Sequence, residues 1–296
     1  MRFLKDLRVY TDYNYFAKHF EYPEPLNNSS LIYHCYWNGL VNEHHSISLK
    51  SLLISQSFPF EVWIWMPAED LVKNRAFIHE FNRIQGVTFR AYDIISEIEG
   101  TKFEQYAKIF HDGHHQSPAT QSDGLRMLVL AKYGGIYFDL DVLFLKDLRA
   151  LCSSEFCYQW SNRPYANTAI MHALRGGPNI EFLLKRGAEI GSFDPRRLFE
   201  FSQLKDALDN WVIFPSFLFD PVWICHDSKI KQNNYCNRID DFFENEAPIE
   251  LSSFFPHAYT YHWHNRWDRL IRPKSIIGQL SAEISDKFRE VFQIHI

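Results

Sequence analysis

Two carboxylates, Asp139 and Asp141, stand between apolar runs: Ile136-Tyr137-Phe138 precedes them and Val142-Leu143-Phe144-Leu145 follows. Charge in apolar surroundings is costly unless it is paired, so these two groups need a partner. In an extended chain, residues two apart face the same way. Both carboxylates can then address one divalent cation or one ligand. Hard oxygen donors suit Mn²⁺ or Mg²⁺. An ion held there can neutralise a diphosphate leaving group and lower the barrier to its departure. Asp-x-Asp by itself is common on protein surfaces; the apolar flanks separate this pair from a solvated one. Upstream, Asp123 and Arg126 are three apart and share a face if the segment is helical. They form either a local ion pair or a frame for a bound sugar, with Asp taking hydroxyls and Arg facing a hydroxyl or phosphate.

Groups of this kind must be held by a sheet, and the sequence supplies one. Leu31–Trp37, Phe60–Met66 and Val87–Tyr92 read as buried strands, with helices near Ser46–Gln56 and Ala68–Arg83 between them. Such alternation predicts a parallel α/β sheet. Ser117-Pro118 starts a helix, Ser as N-cap and Pro at the first helical position. Gly134-Gly135 ends it, and Ile136-Tyr137-Phe138 is the next strand, leading into Asp139. Open α/β sheets bind ligands beyond the carboxyl ends of their strands. The second half is less regular: a strand at Ala166–Ala173, a helix at Pro178–Ile190, an aromatic strand at Tyr259–His264 and a closing helix at Ala282–Gln293. The polar, acidic segment Asn233–Glu250 reads as a surface insertion. There are no repeats and no low-complexity tract.

Length and composition fit one decorated domain. The chain has 296 residues, 46% hydrophobic and 23% charged, enough to build a sizeable core. A net charge of −5 with scattered basic residues argues against a nucleic-acid partner. Five cysteines without C-x-x-C spacing exclude a common zinc-site pattern and fit reduced thiols in a cytoplasmic setting. Asp6 and Arg8 interrupt any signal-peptide core, and no apolar stretch reaches membrane-spanning length. Residues 1–27 read as an N-terminal extension before a domain at 28–296. Phe3, Leu4, Leu7 and Tyr10 recur there at roughly helical spacing with Arg2, Lys5 and Arg8 between them. That pattern fits a helix packed on the domain or a peripheral membrane contact.

The run SDGLRMLVLAKYGGIYFDLDV, Ser122–Val142, resembles the DXD signature of the sugar-transferase family that includes yeast-type α-mannosyltransferases, α1,4-glycosyltransferases, capsular polysaccharide enzymes and large clostridial glucosylating toxins. The matching pieces are Ser-Asp-x-x-Arg, the helix, Tyr-Gly-Gly-Ile-Tyr and Asp-x-Asp, in order and at fixed spacing. Looser likenesses extend over Ser30–Trp267. SLIYHCYWNG resembles the family's opening strand, Asn167 in NTAIMHA its post-metal asparagine, and YHWHNRW its His-then-Trp ending.

The resemblance implies a GT-A-type fold, a single Rossmann-like domain with a mostly parallel sheet and helical additions. It implies transfer of a hexose from a nucleotide-sugar donor, UDP-linked or GDP-linked, to a glycan, glycolipid or protein hydroxyl with retention of anomeric configuration. It assigns Asp139, Asp141 and His262 to a Mn²⁺ (or Mg²⁺) ion, with His264 and Asn265 as rivals for the last place. Tyr36 and Trp37 fall near the nucleobase, Asp123 and Arg126 at the donor sugar, Asn167 near the diphosphate or acceptor, and Trp267 at the substrate. The remaining histidines, including His44-His45 and His114-His115, read as surface or loop residues.

Two other readings compete. Asp139–Val142 also fits the D-x-D-x-[TV] motif of haloacid-dehalogenase-like phosphatases, with Asp139 as nucleophile and Asp240-Asp241 as the later acidic pair. That motif normally opens its domain, and it leaves Ser122–Gly135 unexplained. A non-catalytic carbohydrate-binding module would use the 8 Trp, 15 Tyr and 26 Phe, but has no use for two carboxylates in an apolar run.

Overall fold

The computed structural model describes residues 2–3, 30–113, 117–204, 207–223 and 235–293. Its strands are β1 (Arg2–Phe3), β2 (Leu31–Tyr36), β3 (Phe60–Met66), β4 (Val87–Ala91), β5 (Gly135–Phe138), β6 (Val142–Phe144), β7 (Phe156–Gln159), β8 (Ala166–Ala173), β9 (Val212–Phe214) and β10 (Thr260–His262). One sheet has the order β1-β9-β7-β8-β5-β2-β3-β4, and β6 with β10 makes a second, antiparallel ribbon. In the large sheet only β8 runs against its neighbours, β5 and β7; every other pairing is parallel. The α/β class and mostly parallel sheet expected from the sequence are what the chain forms.

The topology creates the site. From β2 the chain steps outward to β3 and β4, then returns to place β5 on the other side of β2. The carboxyl ends of β2 and β5 therefore flank a switch point, where open α/β sheets form a crevice. Because β8 is reversed, its amino-terminal residues reach the same edge.

Helices cover both faces. On β5, Ile136 and Phe138 join the core on one side and Tyr137 the core on the other, as the period of two requires. α1 (Glu43–Ser55) lies on the first side. Its Ser48 Oγ donates to Val142 O at 2.7 Å, and its Ser51 Oγ accepts from Phe144 N–H at 2.9 Å, which pins β6. α2 (Pro118–Tyr133) and α3 (Pro178–Ile190) lie on the second side. Gly124 to Ala131 of α2 are buried without a break, since the sheet and α3 enclose that stretch. Ser117 caps α2 as expected, and Gly134 closes it at φ 71°. Gly135 follows at φ 98°, and a Cβ there would stand 2.2 Å from Ile32 O. Only glycine satisfies both the dihedral and the close approach of β5 to β2.

Several sequence expectations shift. The helix read over Ala68–Arg83 is two, Ala68–Lys73 and Arg75–Phe81. Asn74 breaks it, its side chain spanning Gly39 O at 2.9 Å and Val41 N–H at 3.0 Å in the loop after β2. α1 starts at Glu43 because Asn42 caps it, with His45 at the position usually held by Glu or Gln. The segment read as a surface insertion is only partly at the surface: Cys236, Ile239, Phe242 and Phe243 are buried, and the short helix Asp241–Glu244 packs on the last helix, while Arg238, Glu244, Glu246, Pro248 and Glu250 are exposed. That last helix, Ile276–Val291, starts six residues before its expected position, capped by Ser275. Gly278 hid its first turn; a Cβ there would meet Arg272 O. The spacing read across Phe3–Tyr10 lies outside the described residues except for β1, which pairs with β9. No helix among the described residues is long and apolar enough to cross a membrane.

Candidate active site

A cleft of about 620 Å³ opens at the carboxyl edge of the sheet. β2 delivers Tyr36 and Trp37, β5 delivers Asp139, β7 runs out into Trp160, and reversed β8 brings Asn167. α2 contributes Asp123 and Arg126, and the turn after β10 contributes His262, His264, Asn265 and Trp267. Every residue singled out in the sequence as a candidate ligand contact therefore lines one cavity.

Asp139 and Asp141 are not in one extended strand. β5 ends at Phe138, and Leu140 and Asp141 form a turn into β6. Asp139 N–H donates to Ala169 O of β8 at 2.9 Å, while Leu140 is buried between the two acids. The turn still sends both carboxylates into the cleft.

His262 arrives through the small ribbon, where its β10 position faces Val142 of β6. Its Nε2 lies 3.1 Å from Asp141 Oδ2, and its Nδ1 lies 3.2 Å from Tyr158 Oη. Asp141 Oδ2 also accepts Asn265 N–H at 2.7 Å. Asp139, Asp141 and His262 each offer a ligand atom within 4.8 Å of the others. Two carboxylates and an imidazole converging in this way fit a Mn²⁺-type ion. His262, Asp220 and His264 form a second such triangle. There Asp220 Oδ2 lies 2.8 Å from His264 Nε2, and the His264 ring stacks on His262 at 3.8 Å.

Electrostatics follow from burial. Burial pushes the Asp141 carboxyl up, but the His262 charge and hydrogen bond, helped by Asn265 N–H, outweigh it and hold the group at about 2. Burial would lower His262; Asp141, with Asp220 and Asp139, raises it to about 9. Burial raises Asp139 even against Arg126. Burial raises Asp123 to about 7, with Arg126 pulling the other way.

Arg126 does more than pair locally. It lies 3.4 Å from Asp123, but Nη2 also donates to Asp139 Oδ1 at 3.0 Å and to Ser122 Oγ at 3.2 Å, and Nη1 donates to Thr168 Oγ1. Its guanidinium sits over the Tyr137 ring. Asn167 Oδ1 accepts Ala169 N–H at 2.8 Å, and its buried Nδ2 has no partner among the described residues.

Trp37 and Trp267 close the cleft beside β2. Their ring centroids are 4.7 Å apart, and His45 stacks on Trp267 at 4.3 Å. His44 and His45 are thus buried, correcting their reading as surface residues; His114 and His115 lie outside the described residues. Asp220 was not among the candidates. It carried the same signal as Asp139, a carboxylate inside an apolar run, here Phe217-Leu218-Phe219 before and Pro221-Val222-Trp223 after. Asp194 and Arg196 left no comparable mark.

The phosphatase reading fails on this geometry. Asp139 is ion-paired to Arg126 rather than poised as a nucleophile. Asp240 binds Arg266 and Arg269, Asp241 binds Arg238, and neither lines the cleft.

Residues 42–158 match the family model described as glycosyltransferase sugar-binding region containing DXD motif. The matched segment runs from the N-cap of α1 into β7 and includes Asp139-Leu140-Asp141. Among curated protein sequences none matches this chain. Among solved structures, GlyE of Streptococcus pneumoniae aligns with TM-score 0.51 at 12% identity, over 90% of this chain and 64% of GlyE. PaToxG glycosyltransferase aligns with TM-score 0.46 at 17% identity, over 66% of this chain and 74% of that one. Mouse xyloside xylosyltransferase 1 gives 0.48 at 11%, over 80% and 98%. The likeness to GlyE is one of fold, and this chain spans under two thirds of GlyE's length.

Proposed function

We propose that the enzyme transfers a hexose from a nucleotide sugar, a UDP-sugar in preference to a GDP-sugar, to an acceptor hydroxyl with a divalent ion bound at Asp139, Asp141 and His262. The observation that carries this reading is the convergence of those three ligand groups in a cleft at the sheet's switch point. A bound Mn²⁺ or Mg²⁺ would supply positive charge against a departing diphosphate.

The chain's own residues have separable roles in this reading. Tyr36 and Trp37, with Trp267, hold the nucleotide at the β2 end. Asp123 accepts from donor-sugar hydroxyls. Arg126 keeps Asp139 and Asp123 compatible with burial, and fixes both carboxylates for their partners. Asn167 Nδ2 is an unused amide donor and suits a diphosphate or acceptor oxygen. The acceptor oxygen bonds to the anomeric carbon as the bond from that carbon to the diphosphate oxygen breaks. The acceptor's proton passes to the departing diphosphate. Attack from the face that the diphosphate leaves gives retention, which product NMR reads directly: an inverted anomer would contradict it.

The enzyme works in the cytoplasm or against a membrane surface facing it, a setting supported by the buried thiols of Cys35, Cys152 and Cys157. A thermal-shift panel of UDP- and GDP-sugars with and without Mn²⁺ tests the donor assignment. A ligand that binds only the folded state raises Tm by mass action. A Mn²⁺-dependent rise with one nucleotide sugar is expected; a flat panel, or a rise with phosphate mimics alone, would contradict it.

A further inference from the structure

The end of the cleft away from Trp37 and Trp267 has its own construction. From His262 a series of rings leads outward: His264 at 3.8 Å, Trp223 at 4.2 Å from His264, Trp160 at 6.4 Å from Trp223, and Tyr165 at 6.0 Å from Trp160. Trp160 and Tyr165 are half-buried, and Trp160 lines the cleft. Asp194 and Arg196 line the same cleft. Arg196 Nε donates to both Asp194 oxygens, at 3.0 and 3.1 Å, and its Nη2 also donates to Asp194 Oδ2. Asp194 and Arg196 lie close enough to Asp123 for their charges to act on its carboxyl, and Tyr165 acts on Arg196 in the same way. The buried, unpartnered Nδ2 of Asn167 lines the same cavity.

We propose that Trp160, with Tyr165 and the Asp194–Arg196 pair, forms an acceptor subsite for a carbohydrate whose pyranose ring stacks on Trp160. This rests on the glycosyl-transfer reading and narrows its acceptor. An aromatic face beside a fixed carboxylate–guanidinium pair suits a ring with one apolar face and a rim of hydroxyls. A lipid acyl chain finds little here: the aliphatic side chains lining the cleft are Pro118, Ala119, Leu140 and Pro195. The position also fits the strand order, in which Asn167 of β8 and Asp139 after β5 lie between Trp160, at the end of β7, and the β2 end, where a donor sugar would meet its acceptor.

The experiment measures nucleotide release from donor and Mn²⁺ alone, with water as the acceptor, and then with lactose, maltose, cellobiose, chitobiose or mannobiose added. Sugar products are read by mass. Extension of at least one disaccharide is expected. Trp160→Ala should lower the ratio of transfer to donor hydrolysis about tenfold, the size of one lost stacking contact, and Trp160→Phe should retain most of it. Nucleotide release without extension of any saccharide overturns the carbohydrate acceptor and leaves glycosyl donor use standing. Extension with an unchanged ratio in Trp160→Ala overturns the Trp160 platform. Loss of hydrolysis and transfer together in both variants makes Trp160 structural and overturns it equally. No nucleotide release from any donor removes the underlying reading as well.

Discussion

Replacing Arg126 by Met keeps most of the side chain's volume and removes its charge. Arg126 is buried, and it neutralises Asp139 at 3.0 Å and Asp123 at 3.4 Å. Its hydrogen bonds to Ser122 and Thr168 are lost too, costing about 1 kcal/mol each at any pH. The charge contribution has a different signature. Both carboxyls already sit above their ordinary values, Asp123 at about 7, and losing the cation pushes them higher. A carboxyl raised in the fold costs stability as pH climbs from its unfolded to its folded value, and the cost then levels off. Wild type and variant incur the same cost for Asp123 up to about pH 7. Above that, wild type levels off while the variant keeps losing about 1.4 kcal/mol per pH unit. Between about pH 7 and 8.5 this amounts to about 2 kcal/mol from Asp123 alone, with Asp139 adding to it. A domain of this size converts that to roughly 4 °C or more. Melting of both proteins at about pH 5.5 and pH 8.5 should therefore show a Tm deficit that widens by several degrees at the higher pH. An equal deficit at both would refute charge neutralisation and leave Arg126 as a packing residue.

Other outcomes are equally specific. Asp141→Asn should abolish the Mn²⁺-dependent thermal shift; it should also lower Tm in metal-free buffer, because His262 and Asn265 N–H lose a shared carboxylate, a buried pair worth on the order of 3 kcal/mol. A variant as stable as wild type in calorimetry would contradict that pairing. Trp37→Ala should weaken nucleotide binding by 10-fold or more, read by calorimetric titration of the nucleoside diphosphate, if the Trp37–Trp267 pair holds the base. Gly135→Ala should cost more than about 2 kcal/mol, since it places a Cβ against Ile32 O at positive φ; soluble protein of unchanged Tm would show that β5 can move away from β2.

The site was readable where chemistry is local and opaque where it depends on distant chain. Asp139 and Asp141 betrayed themselves as carboxylates in an apolar run, and Ser117 and Gly134 as the two ends of one helix. The contact between Arg126 and Asp139 could not be read, because it joins a helix to the strand that follows it through tertiary packing. His262 was singled out by resemblance, yet what brings it to Asp141 is β10 pairing with β6 across more than a hundred residues. The break at Asn74 and the early start of the last helix were masked by side-chain bridges and a packed glycine, features that propensity does not encode. Asp220 carried a visible signal that only the triangle with His262 and His264 turns into a location.

The central claim is tested most directly by nucleotide release. Purified enzyme is incubated with each UDP- and GDP-sugar, with Mn²⁺ or with EDTA, and free nucleoside diphosphate is measured for wild type and Asp141→Asn. The account predicts release from one donor, dependent on the ion and absent in the variant. Release that persists in EDTA and in Asp141→Asn would contradict the metal site, and no release from any donor would contradict glycosyl transfer at this cleft.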